Sequence, residues 1–381
     1  MSRSWDIFCR VVDNFGDAGV CWRLARQLAA GEGARVRLWI DTLDVLHALF
    51  PGIHCDLAAQ TVAGVDVRRW AEGCDFGAPA DIVVEAFGCG LPESHVASMA
   101  GRDPRSLWIV LEYLSAEPWV VGHHGLPSPH PRLPLQRYFF FPGVVPGTGG
   151  VLKEPALRAR RDAFHADDGS RARLWRDLGY PPPHRESIVL SLFAYDNPAV
   201  PELLQACTQG HEQVVAVVPG SSVRPRVGAF FGVADPADGA TLRRGSLEVR
   251  FVPFLPQPRY DELLWSCDWN FVRGEDSLVR AQWALRPLVW QIYPQQEGAH
   301  WAKLEAFLEI YCSGLEPAPL QALRALWQGW NGLGSSVGAA WIAVQGHRNR
   351  LRRHAGDWAE RLARPGDLAG NLARFCEDRL K

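Results

Sequence analysis

The chain has 381 residues, a length that suits two domains better than one, and its 47% hydrophobic and 22% charged residues are typical of a globular protein. The net charge of -2 at pH 7 argues against a general nucleic-acid or membrane-surface binder. The nine cysteines form no CxxC pair, so we expect neither a zinc site nor a disulfide framework. Free cysteines in this number are typical of a reducing compartment, so we expect a cytoplasmic location. We identify no signal peptide and no apolar run of membrane-spanning length.

Strand and helix patterns alternate in the first part of the chain. Alternation of this kind predicts parallel strands joined by helical crossovers. The Gly- and Pro-rich residues 122–150 predict a long surface loop that carries a short aromatic strand at 138–141. The predicted strands are 5–12, 34–40, 81–88 and 106–114, and the predicted helices are 20–30 and 41–50.

A polar helical stretch leads to PPPH at 181–184, and the alternation then restarts. The later strands are predicted at 186–195, 212–220, 247–255, 268–274 and 286–294, followed by helices from about 299. Two doubly wound halves predict an α/β protein with two Rossmann-like domains facing across a cleft, with ligands at the carboxyl ends of strands. The predicted boundaries are 1–155 for the first domain, 156–184 for a linker region, 185–355 for the second domain, and about 356–381 for a C-terminal helix that packs back on the first.

An acidic loop follows the first predicted strand, in the segment VVDNFGDAGVCWRLARQL at 11–28. Asp13 and Asp17 occupy the place where nucleotide-binding folds keep small neutral residues around a phosphate. Their carboxylates would repel a pyrophosphate, and neither a GxGxxG nor a Walker A sequence is present. The sequence of this loop therefore predicts a binding site for a cation. Asp17 by itself is equally well explained as the cap of the following helix, which leaves Asp13 without an explanation.

The second half contains a better anion site, in DWNFVRGEDSLVRAQWAL. A buried strand is predicted to end at Arg273 and a helix to begin near Ser277. The backbone N–H groups at such a helix terminus stabilise a phosphate, with Ser277 and Arg273 or Tyr293 as further donors. An ordinary helix cap made by Asp276 or Ser277 is the alternative.

Two more segments of the second half end in aromatic residues after a strand. SLFAYDN contains Phe193 and Tyr195, and FLPQPRYDELL contains Phe254 and Gln257. Aromatic rings can cover a base or a deoxyribose, and a glutamine can pair with a pyrimidine edge. Each aromatic residue taken singly is more often part of a core, but their shared position after successive strands favours a nucleotide site.

With these residues the chain resembles the EarP family, the bacterial protein-arginine rhamnosyltransferases that modify translation elongation factor P (EF-P). The resemblance covers nearly the whole chain and implies a GT-B glycosyltransferase fold. It also implies an inverting, metal-independent transfer of L-rhamnose from dTDP-β-L-rhamnose to one arginine of EF-P, without a cofactor. The segments that carry the resemblance are VVDNFGDAGVCWRLARQL, FFFPGVVPGTGG, SLFAYDN, FLPQPRYDELLWSCDWNFVRGEDSLVRAQWA and QIYPQQEGAHWAKLEAFL.

The resemblance also implies roles for particular residues. A guanidinium is planar and cationic, and a carboxylate binds it bidentately, which would explain an acidic loop that receives an arginine. The implied catalytic residues are Asp13, Asp17 and Glu275, and we assign Asn14, Phe15 and Gly16 to the acceptor-binding loop. The implied donor-binding residues are Phe193, Tyr195, Phe254, Gln257, Arg273, Asp276, Ser277 and Tyr293.

Three other functions stay open at this point. A GT-B glycosyltransferase with a lipid or glycan acceptor would share the fold, and a Rossmann-fold NAD-dependent sugar-nucleotide enzyme would share the strand–helix alternation. A non-catalytic binding protein of the translation apparatus is the third, although the presence of Asp13, Asp17 and Glu275 argues against it. The histidines at 123, 124 and 130 lie in Pro-rich surroundings that predict a surface loop rather than a metal site.

Overall fold

The computed structural model describes residues 3–13, 15–31, 33–294, 298–334 and 336–380. The chain forms two compact units. Unit 1 extends to Glu154 and resumes at Leu362, and unit 2 comprises Pro155–Arg361. The segment 156–184, expected as a linker region, lies within unit 2 and is largely helical. The chain returns to unit 1 at Leu362, whereas the sequence predicted this return at about residue 356.

The helices and strands follow the predicted alternation. Those of unit 1 are β1 (Ser4–Cys9), α1 (Gly16–Gly31), β2 (Arg35–Ile40), α2 (Leu43–Leu49), β3 (Ala59–Val62), β4 (Val65–Arg69), β5 (Ile82–Ala86), α3 (Glu93–Gly101), β6 (Leu107–Leu111), α4 (Trp119–His123), β7 (Pro127–Pro129) and β8 (Gln136–Phe140). Those of unit 2 are α5 (Leu157–Ala166), α6 (Asp168–Asp177), β9 (Ile188–Leu192), α7 (Val200–Thr208), β10 (Val214–Val218), α8 (Arg224–Phe230), β11 (Thr241–Arg244), β12 (Leu247–Phe251), α9 (Gln257–Ser266), β13 (Trp269–Arg273), α10 (Glu275–Trp283), β14 (Leu288–Gln291), α11 (Ala299–Cys312), α12 (Pro317–Trp330), α13 (Val337–Gln345) and α14 (Arg348–Leu362). The chain then ends in α15 (Leu368–Arg379) of unit 1.

Each unit is built on one mainly parallel sheet. The sheet of unit 1 has the order β3-β4-β2-β1-β5-β6-β8-β7, with antiparallel pairing at its two edges. The sheet of unit 2 has the order β11-β12-β10-β9-β13-β14, with β11 antiparallel. The chain order reverses at β1 in the first sheet and at β9 in the second. Loops at such reversal points are the usual ligand sites of doubly wound sheets.

Two short hairpins at the sheet edges were missed by the sequence patterns. β3 and β4 are joined by Ala63 and Gly64, which both have positive φ (50° and 82°), as a tight two-residue hairpin turn requires. β11 and β12 form the second hairpin, in unit 2. The region 122–150 was predicted as a surface loop with one strand, but it holds both β7 and β8, and Phe141 is buried.

The core of unit 1 fixes the position of β1. Phe8 stacks on Trp39 with ring centroids 5.9 Å apart and meets Trp70 edge to face at 5.3 Å. Asp6, which is fully buried, binds the Arg37 guanidinium of β2 through both carboxylate oxygens at 2.5 and 2.7 Å. Aromatic pairs and charge-assisted bonds of this kind make β1 a rigid support for the loop that follows it.

Unit 2 has an aromatic core between its sheet and its later helices, in which Trp327 stacks with Phe307 and Tyr311. Most tryptophans are core residues, and Trp119 is an exception at 46% exposure. All nine cysteines are free thiols. Among the described helices, none combines the length and apolar character needed to cross a membrane.

Candidate active site

The acidic loop of unit 1 connects β1 to α1 at the reversal point of the sheet. Asp13 is 8% exposed and Asp17 only 1%. The Gly16 N–H donates to the Asp13 carbonyl at 2.7 Å, which closes the turn. Asp17 lies in the first turn of α1, and its Oδ2 accepts the N–H groups of Val12 at 2.8 Å and Asp13 at 2.9 Å. Since these donors precede the helix, Asp17 braces the loop that leads into α1.

Burial raises the pKa of the Asp17 carboxyl above its ordinary value. The hydrogen bonds from Asp13, Val12 and the Tyr113 hydroxyl act in the opposite direction, and the negative charge of Asp41 adds to the rise. A carboxylate with a raised pKa is a stronger base than an exposed one. The loop therefore holds an anionic group whose burial increases its affinity for a proton or a cation.

The position of Gly16 leaves no room for a side chain, because the Asp13 carboxylate occupies the space beside it. A Cβ atom at Gly16 would lie 2.7 Å from the Asp13 carboxylate Oδ2, well inside van der Waals contact. Phe15 is half-buried and its carbonyl accepts the Gly19 N–H at 2.9 Å. Asn14, the third predicted residue of the acceptor-binding loop, lies outside the described residues.

Two residues near Asp17 were missed by the sequence patterns. Tyr113, whose hydroxyl bonds to Asp17, stacks on Phe87 with ring centroids 4.4 Å apart and an interplanar angle of 16°. The sequence placed Tyr113 inside a strand ending at residue 114, but β6 ends at Leu111 and Tyr113 lies in the loop beyond it. The useful signal was its position, because residues after parallel strands of one sheet emerge at the same edge.

The predicted anion site of unit 2 starts where β13 ends. Gly274 (φ 62°, ψ -168°) turns the chain, and α10 begins at Glu275, two residues before the predicted start at Ser277. The Trp290 side chain holds this turn by donating to the Gly274 carbonyl at 3.0 Å. The N-cap position of α10 is Gly274, so neither Asp276 nor Ser277 occupies the predicted cap position. The Ser277 hydroxyl instead donates to the Arg273 carbonyl.

Aromatic residues from three loops gather around Arg273. The Arg273 guanidinium carbon lies 4.6 Å from the ring centroids of both Phe193 and Tyr195, which follow β9. Phe254 lies 6.3 Å from Phe193, and Tyr293, which is 41% exposed, lies 5.5 Å from Tyr195, both measured between ring centroids. These five predicted donor-binding residues therefore form one cluster. A cation between aromatic faces is suited to a ligand that combines a base with phosphate groups.

Gln257, the first residue of α9, connects this cluster to the helix terminus. Its Nε2 donates to Asp276 Oδ2 at 3.1 Å, and both residues are buried. Behind them, Arg280 of α10 binds Asp261 of α9 through two bonds of 2.9 and 2.7 Å, with both side chains at most 2% exposed. This buried pair joins the two helices that present the site. Glu275 is half-buried at the start of α10.

Within the part of the chain that the structure describes, no group of three or more His, Cys, Asp and Glu side chains is placed to hold a metal ion. Metal independence, the role of each donor-binding residue and the role of Glu275 stay predictions. The electrostatic observations that bear on them are the N-terminus of α10, which follows Gly274, and the position of Arg273 beside it.

Comparison with known proteins shows similarity over the full chain. The model of the family described as "Elongation-Factor P (EF-P) rhamnosyltransferase EarP" matches residues 5–377. The protein-arginine rhamnosyltransferase of Pseudomonas putida (strain KT2440) is 46% identical over 380 residues, covering 100% of both chains. The protein of the same name from Pseudomonas aeruginosa (strain PAO1) is 45% identical, covering 98% of this chain and 99% of its own. A solved structure, described as the structural basis for EarP-mediated arginine glycosylation of translation elongation factor EF-P, is 33% identical with a TM-score of 0.71 and covers 99% of both chains.

Proposed function

The chain belongs to the EarP family of arginine rhamnosyltransferases with a GT-B fold, and on that basis we propose that it transfers L-rhamnose from dTDP-β-L-rhamnose to an arginine of EF-P. The family membership supports the reaction type. The site in each unit supports the two substrates. In this proposal the enzyme acts in the cytoplasm, where its acceptor takes part in translation.

The buried carboxylates of Asp13 and Asp17 carry the proposal. Placed after β1, they make a loop that disfavours a phosphate and favours a cation with several N–H donors. A guanidinium meets this requirement because its planar donors match two carboxylate oxygens, whereas a lysine ammonium presents a point charge. We therefore assign the acceptor arginine to unit 1.

The donor is assigned to unit 2. The N-terminal N–H groups of α10 follow Gly274, and Arg273 lies directly before that glycine, so a diphosphate would be stabilised there. Phe193, Tyr195 and Phe254 would contact the thymine and deoxyribose. Glu275 is anionic, so in the proposal it contacts sugar hydroxyls or the incoming guanidinium rather than a phosphate.

The proton on arginine is the main energetic problem of this reaction. Removing it beforehand at neutral pH would require about 7 kcal/mol, because the arginine pKa lies roughly five units above neutrality and each unit is worth about 1.4 kcal/mol. In our proposal, Asp17 orients the guanidinium and accepts its proton while the new C–N bond forms. The C–O bond to dTDP breaks at the same time, its electron pair goes to the β-phosphate, and the anomeric centre inverts. Burial of Asp17 strengthens it as a base for this step.

The test is a transfer assay with purified components. The protein is incubated with dTDP-β-L-rhamnose and EF-P, and intact-mass spectrometry is used to detect the addition of one deoxyhexose, which fragmentation then locates. We expect one modified arginine. EF-P with that arginine replaced by lysine should stay unmodified, because an ammonium lacks the planar pair of donors.

A different outcome would redirect the assignment. Transfer to another protein or to a glycan, with EF-P unmodified, would keep the fold and refute the acceptor. Equal transfer from dTDP-glucose would refute the donor.

A further inference from the structure

The loop after β6 contributes a residue to the acidic site that the proposed function does not use. The Tyr113 hydroxyl donates a hydrogen bond to the carboxylate of Asp17. The two residues are far apart in sequence, and β5 separates their strands β1 and β6 in the sheet. The backbone N–H groups of Val12 and Asp13 bind the same carboxylate. Tyr113 is thus the side-chain donor in a set of three donors that hold Asp17.

Phe87 supports Tyr113 from the turn that directly follows the intervening strand β5. Its ring lies nearly parallel to the tyrosine ring, with centroids 4.4 Å apart. Phe87 also has a φ of 56°, in the left-handed region that bulky side chains rarely adopt. Its N–H donates to the Leu111 carbonyl of β6 at 2.7 Å, which fixes the turn against the strand that precedes Tyr113. Unfavourable backbone conformations that persist in this way are often found at functional sites.

We propose that Tyr113 is a positioning residue, held by the Phe87 ring, that orients the Asp17 carboxylate toward the acceptor guanidinium. The inference rests on the proposed function, since the orientation matters only if Asp17 takes part in the transfer. Three donors directed at one carboxylate restrict its rotation, which is the usual means by which a catalytic group is preorganised. The stacked rings suit this purpose because a tyrosine fixed by stacking keeps its hydroxyl in place.

Several titratable groups face Asp17 and influence its ionisation. Asp41, after β2, disfavours the charged carboxylate, whereas the Tyr113 hydroxyl favours it. Asp13 is its neighbour in the loop, and Cys9 lies close by, where a hydrogen bond with Cys21 and burial raise the pKa of the Cys9 thiol. The Tyr113 hydroxyl, unlike the carboxylates of Asp13 and Asp41, can be removed without changing a charge, and it bonds to Asp17 directly.

The test is Tyr113→Phe, which keeps the ring stack and removes the hydroxyl. Since a hydrogen bond from Tyr113 favours the ionised Asp17, its loss should move the acidic limb of the kcat–pH profile upward by roughly one to two pH units. At pH 7 we expect kcat to fall by about 10-fold, with the KM for dTDP-β-L-rhamnose unchanged. Phe87→Asn tolerates the left-handed backbone but removes the supporting ring, and should shift the profile in the same direction by less.

Tyr138→Phe is the matched control, since its hydroxyl binds Gln136 on the surface of the same unit. It should leave the profile unchanged. Superimposable profiles for wild type and Tyr113→Phe, with transfer by wild type intact, would overturn the inference alone. No transfer by wild type would overturn the proposed function and the catalytic part of the inference. The carboxyl ¹³C titration of Asp17 is independent of activity, and an unchanged midpoint in Tyr113→Phe would overturn the hydrogen-bond assignment itself.

Discussion

Replacing Asp17 by asparagine removes a charge and a base while nearly preserving the shape of the loop. The two backbone N–H groups that bind Asp17 both donate to its Oδ2, at 2.8 and 2.9 Å. An amide oxygen has two acceptor sites and can receive both. We therefore expect the free energy of unfolding to change by less than about 1 kcal/mol.

The effect on catalysis should be much larger. Loss of a general base typically lowers the rate by about 10²–10⁴-fold, which adds about 3–5 kcal/mol to the barrier. At neutral pH the same substitution should slightly stabilise the fold, although it lowers the rate of catalysis. Because burial raises the pKa of Asp17, ionisation weakens the fold as the pH rises through the folded-state pKa. The variant lacks this term, so relative to wild type it should gain stability between mildly acidic and neutral pH.

The assay combines three measurements on the same preparation of Asp17→Asn. Rhamnose transfer is followed by the mass of EF-P, unfolding by urea titration at pH 5 and pH 8, and dTDP binding by calorimetry. We expect transfer to fall by at least about 10²-fold, while stability and dTDP affinity stay close to wild type. Near-normal transfer would show that Asp17 acts only as a brace of the loop. Loss of dTDP binding would show that the nucleotide was assigned to the wrong unit.

Three further predictions follow from the geometry. Gly16→Ala should lower transfer without affecting dTDP binding, because its Cβ would displace the Asp13 carboxylate from a distance of 2.7 Å; wild-type kinetics in the variant would refute this. Asp81→Asn should destabilise the protein by about 2 kcal/mol at pH 7. Burial raises the pKa of Asp81, but hydrogen bonds from Ser4 and Arg102 outweigh it and lower the pKa to about 2. The difference in urea stability between the variant and wild type should therefore shrink as the pH falls from about 5 to about 2. In the proposed donor site, the N-terminus of α10 and Arg273 would stabilise the diphosphate in place of a divalent ion, so we expect transfer to survive EDTA; rescue of a chelated enzyme by Mg²⁺ would contradict that assignment.

The residue pattern alone determined the two-unit α/β architecture, and it predicted a candidate site in each unit. Several parallel strands, such as β6 and β10, are short, continuously apolar runs, and this signal depends on the buried faces of the sheet rather than on distant partners. The residues that follow such strands, among them Asp13, Asp17 and Arg273, share one edge of their sheet for the same reason. The family resemblance rested on these same segments and is confirmed over residues 5–377.

Only the tertiary structure decided how these residues are used. The burial of Asp17, its brace from Tyr113 and the stack on Phe87 depend on β1, β5 and β6 lying side by side, although their sequences are far apart. The start of α10 was likewise misplaced, because Gly274 turns the chain in a conformation that a Trp290 hydrogen bond stabilises from the next strand. Local patterns report propensity and periodicity, whereas the orientation and ionisation of a side chain depend on neighbours that folding brings from elsewhere in the chain.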